Sequence, residues 1–283
     1  MKAYPESDRG DHRELARSGS QNVFVVIPTY NEAENLPAMV AALLEQPVRR
    51  LQVLIVDDNS PDGTGQVAEA LRQQHGPRIH VVHRPGKQGL GSAYLEGFRY
   101  ALRQYADVIV QMDADFSHSP ADIPRFLQHC AEYDVIVGSR YVRGGRLDPT
   151  WGKGRYLLSW WANSVYVRLI LGLKVHDATG GFKCWSRRAL HAVLEHPISS
   201  NGYIFQVEMA LVTEKLGLRV LELPIFFQER RHGSSKMSGG VQLEAMWRTW
   251  ALRRRYAQLR AKPPEDQSEQ SLVAISEPSK ERI

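Results

Sequence analysis

The chain has 283 residues, 43% hydrophobic and 24% charged, the make-up of a soluble globular protein rather than a disordered or fibrous one. Its 36 Lys and Arg against 31 Asp and Glu leave a formal net charge of +5, which suits an anionic partner: nucleic acid, a phosphorylated substrate or an anionic membrane surface. Only Cys130 and Cys184 are cysteines, which excludes a disulfide framework and a cysteine-built metal centre, and no run approaches the roughly 20 apolar residues that span a bilayer.

Residues 1–20 are polar, lack an apolar signal-peptide core and read as a disordered tail. The β-branched run 22–27, closed by Pro28, reads as a first strand. Residues 33–45 have helical spacing at Leu36, Met39, Val40, Leu43 and Leu44. A second strand, 51–56, ends at Asp57-Asp58, and the turn Asn59-Ser60-Pro61-Asp62-Gly63 leads into a helix over 64–74. A strand at 79–83, a helix at 89–104, a strand at 107–112, a helix at 121–130 and a strand at 134–137 follow. Alternating strands and helices of this length predict an α/β fold, a mainly parallel doubly wound sheet with helices on both faces. The second half predicts helices at 154–171, 186–194 and 203–216, then a strand-like stretch at 218–227 in which Pro224 marks an edge or bend. A long helix over 239–260 has a basic C-terminal half, and residues 263–283 read as a second disordered tail. These divide the chain into a tail (1–20), a catalytic domain (21–238), a C-terminal basic amphipathic helix (239–262) and a tail (263–283).

Ligands in such sheets sit beyond the carboxyl ends of the strands, and polar residues collect there. Thr29, Tyr30, Asn31 and Glu32 follow the first strand, Asp57 and Asp58 the second, Asp113 and Asp115 the fourth, and Ser139 and Arg140 the fifth. Asp113-Ala114-Asp115 after the buried run 108–112 carries the most chemistry. Two carboxylates one residue apart repel and lose hydration in a crevice; a hard divalent cation such as Mg²⁺ or Mn²⁺ relieves both problems. The plain alternative is a turn with two solvated acids.

Pro28-Thr29-Tyr30-Asn31-Glu32, Asp57-Asp58-Asn59-Ser60-Pro61-Asp62-Gly63-Thr64, Asp113-Ala114-Asp115 and Gly138-Ser139-Arg140-Tyr141 occur in that order. Together they resemble family 2 glycosyltransferases of the GT-A nucleotide-sugar-binding fold. The Ser-Pro-Asp-Gly-Thr element and Arg230 with Gly233-Ser234-Ser235-Lys236 resemble the dolichyl- or polyprenyl-phosphate mannosyltransferase branch, over about residues 22–255. The resemblance implies inverting transfer of mannose from GDP-mannose to the phosphate of a dolichyl or polyprenyl lipid, with Mg²⁺ or Mn²⁺. It implies donor-binding roles for Pro28, Tyr30, Glu32, Val56, Asp58, Asp113, Ala114, Asp115, Arg140, Arg230 and Lys236. Asp113 and Asp115 are implied as the metal ligands, and with Arg140 as the catalytic set. Arg155 and Ser159 fall where relatives hold the acceptor phosphate. Ser117 stands where some relatives place a Gln near the metal. The implied location is peripheral, at the cytoplasmic face of a membrane, directly or through a membrane subunit, with no nucleic-acid partner.

Other residues keep two readings. His118 reads as a loop or supporting histidine rather than a base, because a phosphate nucleophile is already ionised near neutral pH. Residues 177–182 (Asp-Ala-Thr-Gly-Gly-Phe) are a turn approaching the sugar or a plain turn before a strand. Gln206 and Glu208 touch sugar hydroxyls, or Glu208 satisfies a buried helix end. The glycines of 85–91 match neither a Walker nor a dinucleotide fingerprint and read as a loop feeding a helix near the donor. Residues 230–238 are a lid or a surface loop. Trp247, Trp250 and the arginines of the last helix suit a membrane interface or a core-packed helix. The rival functions are the same chemistry with another donor such as UDP-glucose, a non-catalytic nucleotide- or nucleic-acid-binding module, and a scaffold with a decayed site.

Overall fold

The computed structural model describes residues 21–150, 152–229 and 239–259; both expected tails, Arg230 and Lys236 lie outside this set. Seven strands form one sheet in the order β3-β2-β1-β4-β7-β5-β8. They are β1 Val23–Thr29, β2 Leu51–Asp57, β3 Ile79–His83, β4 Val108–Gln111, β5 Val135–Ser139, β7 Lys183–Ser186 and β8 Val220–Pro224. A separate two-stranded ribbon pairs β6 Arg146–Leu147 with β9 Phe226–Phe227. The first three strands and β4 are parallel neighbours, and their apolar, β-branched residues are buried because helices cover both faces.

Two apolar clusters lie on opposite sides of the sheet. One packs Phe24, Val26 and Leu54 against helices α3 Leu90–Arg103, α7 Arg187–Leu194 and α8 Tyr203–Lys215. The other packs Val23, Val25 and Ile55 against α1 Leu36–Leu44, α2 Thr64–His75 and α4 Ile123–Leu127. Alternate residues of one strand thus serve different cores, as the two-residue side-chain period requires. Gly97 of α3 lets that helix close on the sheet: a Cβ there would stand 2.4 Å from Val26 Cγ1.

Three elements depart from expectation. First, β7 is antiparallel to both β4 and β5. Its four residues are Lys-Cys-Trp-Ser, and a lysine at its start hides the apolar signature of a buried strand. The reversal matters, because it brings the turn before β7 to the same rim as the carboxyl ends of β4 and β5. Second, the helix expected over 154–171 is α5 Lys153–Trp160, a π-helical stretch Trp161–Val167 and α6 Arg168–Leu171. Third, the stretch 218–227 breaks at Ile225 into β8 and β9, and β8 is the edge of the sheet, where Pro224 is tolerated. The last helix, α9 Gly239–Arg255, packs on α6 and α8.

Candidate active site

One side of the site, where the sequence places the donor, is built on the ends of β1 and β2. Asp57 Oδ1 accepts from Ser60 Oγ (2.6 Å) and Thr29 Oγ1 (3.2 Å), tying the two strand ends together. Asp62 accepts from the Thr64 hydroxyl (2.6 Å) and amide (3.1 Å) and from the Ala33 amide (3.2 Å), while Thr64 Oγ1 accepts from the Glu32 amide (2.9 Å). Burial, the largest single influence, would raise the Asp62 carboxyl, but these bonds together hold it below its ordinary range. The Ser-Pro-Asp-Gly-Thr element is therefore a brace that shapes the loop carrying Tyr30 and Glu32. Asn31 and Asn59 take left-handed backbone conformations (φ 61° and 55°), which asparagine tolerates better than most residues.

Asp58 is 5% exposed and ion-paired with Arg84, itself 4% exposed. The same guanidinium donates to Glu96 (2.9 Å), Gln88 (3.1 Å) and Ser92 (2.7 Å). Burial pushes the Asp58 carboxyl up, and Arg84 only partly offsets it. Arg84 was not legible as a site residue: it follows an unremarkable strand, and only the fold sets it against Asp58. Val56 is fully buried in the core, so any nucleoside contact there falls to its backbone. Pro28 and Tyr30 are half-buried. Lys87, on the loop feeding α3, lies 4.0 Å over the Tyr30 ring.

The acidic pair sits two strands away. The register Val26–Gln111 puts Pro28 level with Asp113, and two strand spacings, roughly 10 Å, separate the Asp58 and Asp113 ends. Asp113 Oδ1 accepts from the hydroxyl of fully buried Tyr94 (2.8 Å); burial first, and then Asp113, raise that phenol well above its ordinary range. The Asp113 amide donates to His118 Nδ1 (3.2 Å), which fixes the imidazole as the neutral form with its proton on Nε2. His118 is 2% exposed, stacks on Phe182 and is pushed below its usual range by burial. It holds Asp113; it is not placed as a general base.

Asp115 is 3% exposed, deeper than a rim position, and its Oδ1 accepts from the Ser117 amide (3.0 Å). Phe116 between them has φ 63°, an uncommon conformation for a bulky residue that functional turns preserve. Ser117 Oγ is buried without a hydrogen-bond partner. Ala114 is 3% exposed, so only its backbone faces the site.

Among the described residues no group of three or more His, Cys, Asp or Glu forms a metal cage. Two neighbouring carboxylates steadied by protein donors, with the Ser117 hydroxyl unpartnered among the described residues, nonetheless fit a hard cation that completes its shell with phosphate and water. The turn before β7 leaves room: a Cβ on Gly181 would come to 3.5 Å of Asp113 Oδ2 and 3.3 Å of His118 Cε1.

The other wall is Arg140. Its amide (2.9 Å) and Nε (2.8 Å) donate to Asp177 Oδ2, and Nη2 donates to Asp177 Oδ1 (2.7 Å) and Thr179 Oγ1 (2.9 Å). One edge of the guanidinium thus belongs to Asp177. Asp177 is fully buried; burial would raise it, but Arg140 holds it below the ordinary carboxylate range. Arg140 also lies over the Tyr141 (5.1 Å) and Phe227 (5.3 Å) rings.

The Tyr141 and Ser159 hydroxyls share a hydrogen bond (2.7 Å), which brings the expected acceptor residue beside Arg140. Arg155 lies four residues earlier on the same helix. Asn163, in the π-helical stretch, donates to the Ser159 carbonyl (2.9 Å) and accepts from the Thr179 amide (3.1 Å).

Glu208 accepts from the Ser199 (3.1 Å) and Ser200 (2.8 Å) amides and from Tyr256 (2.9 Å). It anchors the residues that follow the last helix, the buried-end role expected as one of its two readings. Gln206 is tied to Gln111 and Lys183 below the sheet edge.

The match to the profile of Glycosyl transferase family 2 spans residues 24–194, which includes the acidic pair, Arg140, Ser159 and Asp177. The chain belongs to glycosyl transferase family 2. Within this family it is 45% identical to an undecaprenyl-phosphate mannosyltransferase of Micrococcus luteus, over 85% of this chain and 98% of that one. It is 43% identical to a polyprenol monophosphomannose synthase of Mycolicibacterium smegmatis, over 83% of this chain and 89% of that one. The fold matches glucosyl-3-phosphoglycerate synthase of Mycobacterium tuberculosis, a structure with Mn²⁺, UDP-glucose and phosphoglyceric acid, at a TM-score of 0.61 and 16% identity, covering 92% of this chain and 88% of that one. That family 2 architecture is the GT-A fold expected from the motifs, mixed by its one reversed strand.

Proposed function

We propose that the chain transfers mannose, with inversion, from GDP-mannose to the phosphate of a polyprenyl or dolichyl lipid. The observation that supports this most is the convergence on one rim of Asp113 and Asp115, the Arg140–Asp177 pair and the Tyr141–Ser159 pair, in a chain whose curated relatives are named for this transfer.

The nucleoside lies over Pro28, Tyr30, Glu32 and Asp58, and the diphosphate reaches across β1 to Asp113 and Asp115. A divalent cation, Mg²⁺ or Mn²⁺, held there supplies Lewis-acid compensation for the charge that develops on the leaving diphosphate. Tyr94 and His118 hold Asp113 in place, and the Ser117 amide holds Asp115. Arg140 adds a fixed positive charge, oriented by Asp177; Arg230 and Lys236 are the further phosphate partners in this reading. A phosphomonoester, with a second pKa near 6, attacks as an ionised oxygen. Arg155 and Ser159 position it, so no protein base takes a proton.

The lipid approaches along α5. Leu157, Leu158 and Trp161 are exposed there, and Trp247 and Trp250 of α9 are exposed beside them, with Tyr166 donating to the Met246 carbonyl (3.2 Å) across the two helices. Among the described residues no helix is long and apolar enough to cross a membrane; this face, flanked by Arg248, Arg253 and Arg254, suits peripheral contact with the cytoplasmic leaflet. The reading is tested by incubating the chain with labelled GDP-mannose, Mg²⁺ and polyprenyl phosphates of several lengths. Label in the lipid fraction, acid-labile and dependent on the cation, is expected; none across all acceptors would defeat it. A thermal-shift panel of GDP-mannose against UDP-glucose decides the donor.

A further inference from the structure

Lys183 opens β7 and is 2% exposed, an uncommon place for a lysine. Its Nζ donates to the Gly180 carbonyl (2.7 Å) and to Gln206 Oε1 (2.6 Å). The Gln206 oxygen also accepts from Gln111 (2.8 Å), whose own oxygen accepts from Trp185 (3.3 Å). This polar chain runs under the carboxyl edge of the sheet, and its upper end is the turn before β7. The turn carries three features of the site: Asp177 on Arg140, Thr179 on Arg140, and Gly181 against Asp113 and His118.

We infer that Lys183 is a positioning residue for sugar transfer, which holds the Gly180 carbonyl from below and so fixes Asp177 and Gly181 against Arg140 and Asp113. The inference rests on the proposed transfer reaction.

Several observations support it. A buried amine carries a desolvation cost that a structural leucine would avoid, so the hydrogen bonds it makes must matter at this point. Gly180 has little room for adjustment: a Cβ there would stand 3.2 Å from Asp177 Cγ and 3.3 Å from the Gly138 carbonyl oxygen. Burial drives the Lys183 amine down to about 7, with Asp177 and Asp113 opposing and Arg140 adding to the shift. Even the neutral amine keeps the two donors that Gly180 and Gln206 need. A cavity of about 10 Å³ borders Lys183, Asp177 and Trp185, which gives a longer donor some room.

The test uses the full chain with three variants, each checked for folding by circular dichroism and thermal melting: K183M, K183R and Q206M. For K183M the expected result is a loss of kcat of at least tenfold, with the KM for lipid phosphate and the affinity for GDP within twofold. K183R, which keeps a donor, returns kcat to within threefold of the wild type. Q206M, which spares the bond to Gly180, lowers the melting temperature but keeps kcat within threefold. A folded K183M with unchanged kcat overturns the inference, as does a folded K183R as inactive as K183M. If K183M does not fold, K183R and Q206M decide: both active supports the inference, and a folded but inactive variant of either kind overturns it. A wild-type chain that transfers no mannose would instead defeat the proposed function, so the two failures are told apart.

Discussion

Two arginine–aspartate pairs flank the site, and they are made differently. On the donor side Arg84 is shared among Asp58, Glu96, Gln88 and Ser92. On the acceptor side Arg140 commits its amide, Nε and Nη2 to Asp177. Both aspartates are buried, yet burial wins at Asp58, which is raised, while at Asp177 burial is outweighed by Arg140 and the acid is lowered. A bidentate grip with a backbone donor outweighs desolvation at Asp177; at Asp58 burial wins over a divided guanidinium and the Gln88 amide, with Asp57 adding to the rise. The difference separates a carboxylate locked to one guanidinium from one held by a shared guanidinium and a backbone amide. Asp177 shapes the turn before β7, and we propose that Asp58 reads the nucleoside.

The sharpest way to break this contrast is to remove Asp177. Asp177→Ala strands Arg140, whose side chain is 10% exposed, and frees the turn before β7. We expect a loss of about 3–5 kcal/mol in unfolding free energy, the range for half of a buried pair, measured by urea denaturation. A loss below about 1 kcal/mol would show that the pair behaves as a surface ion pair.

Asp115→Ala tests a carboxylate of a third kind, fixed by a backbone amide and proposed to hold the cation at the diphosphate. Turnover should fall by about 10²–10³-fold, the scale for losing one group that stabilises transition-state charge, while the melting curve stays near that of the wild type. Asp115→Asn, which keeps the acceptor for the Ser117 amide, should be as inactive but melt at the wild-type temperature. A folded Asp115→Asn with full activity would remove Asp115 from the cation site.

Why one flank was readable and the other was not follows from the same chemistry. Asp58, Asp113, Asp115 and Arg140 announce themselves because each ends an apolar run, and a parallel sheet puts all such ends on one rim. The register of β1, β2 and β4 could be expected from these runs alone. Arg84 and Lys183 are silent in sequence: each is a single cation whose meaning comes from a partner 26 or 23 residues away. The reversed strand β7 is silent for the same reason, since four residues opening with a lysine give no periodic signal. The Asp-Ala-Thr-Gly-Gly-Phe turn was visible, but its placement on the rim depended on that reversal. The Ser-Pro-Asp-Gly-Thr element was visible too, and its role proved to be bracing: the acid of that motif spends its oxygens on Thr64 and Ala33.

A smaller effect sharpens the contrast from the donor side. Asp58→Ala leaves Arg84 with Glu96, Gln88 and Ser92, so the stability loss should be no more than half that of Asp177→Ala. Its affinity for GMP, measured by calorimetry, should fall about tenfold, or ~1.4 kcal/mol, whereas Asp177→Ala should hold GMP within threefold. If the two variants lost nucleotide affinity alike, the division between a structural and a ligand-reading aspartate would not stand.

A last effect, read as a slope with pH rather than as a single loss, concerns the lysine between the two flanks. Its amine titrates near 7 in the folded chain and near 10.4 once unfolded. Below pH 7 both states carry the proton, and the full cost of burying the charge is present but constant. Between about pH 7 and 10 the unfolded chain holds the proton and the folded chain has released it, so stability rises with pH. Above about 10.4 neither state is charged and the cost is gone. The rise is at most about 1.4 kcal/mol per pH unit, seen as a slope in urea midpoints across that window. Lys183→Met should flatten the slope there and leave the acid limb, set by Asp177, unchanged. The acid limb has the opposite origin. Asp177 is lowered when folded, so its contribution is complete above the unfolded carboxylate pKa of about 3.9 and fades as pH falls through the folded value. A Lys183→Met chain that kept the alkaline slope would mean that the buried amine stays charged through this range, held by Asp177 and Asp113 together rather than released by burial.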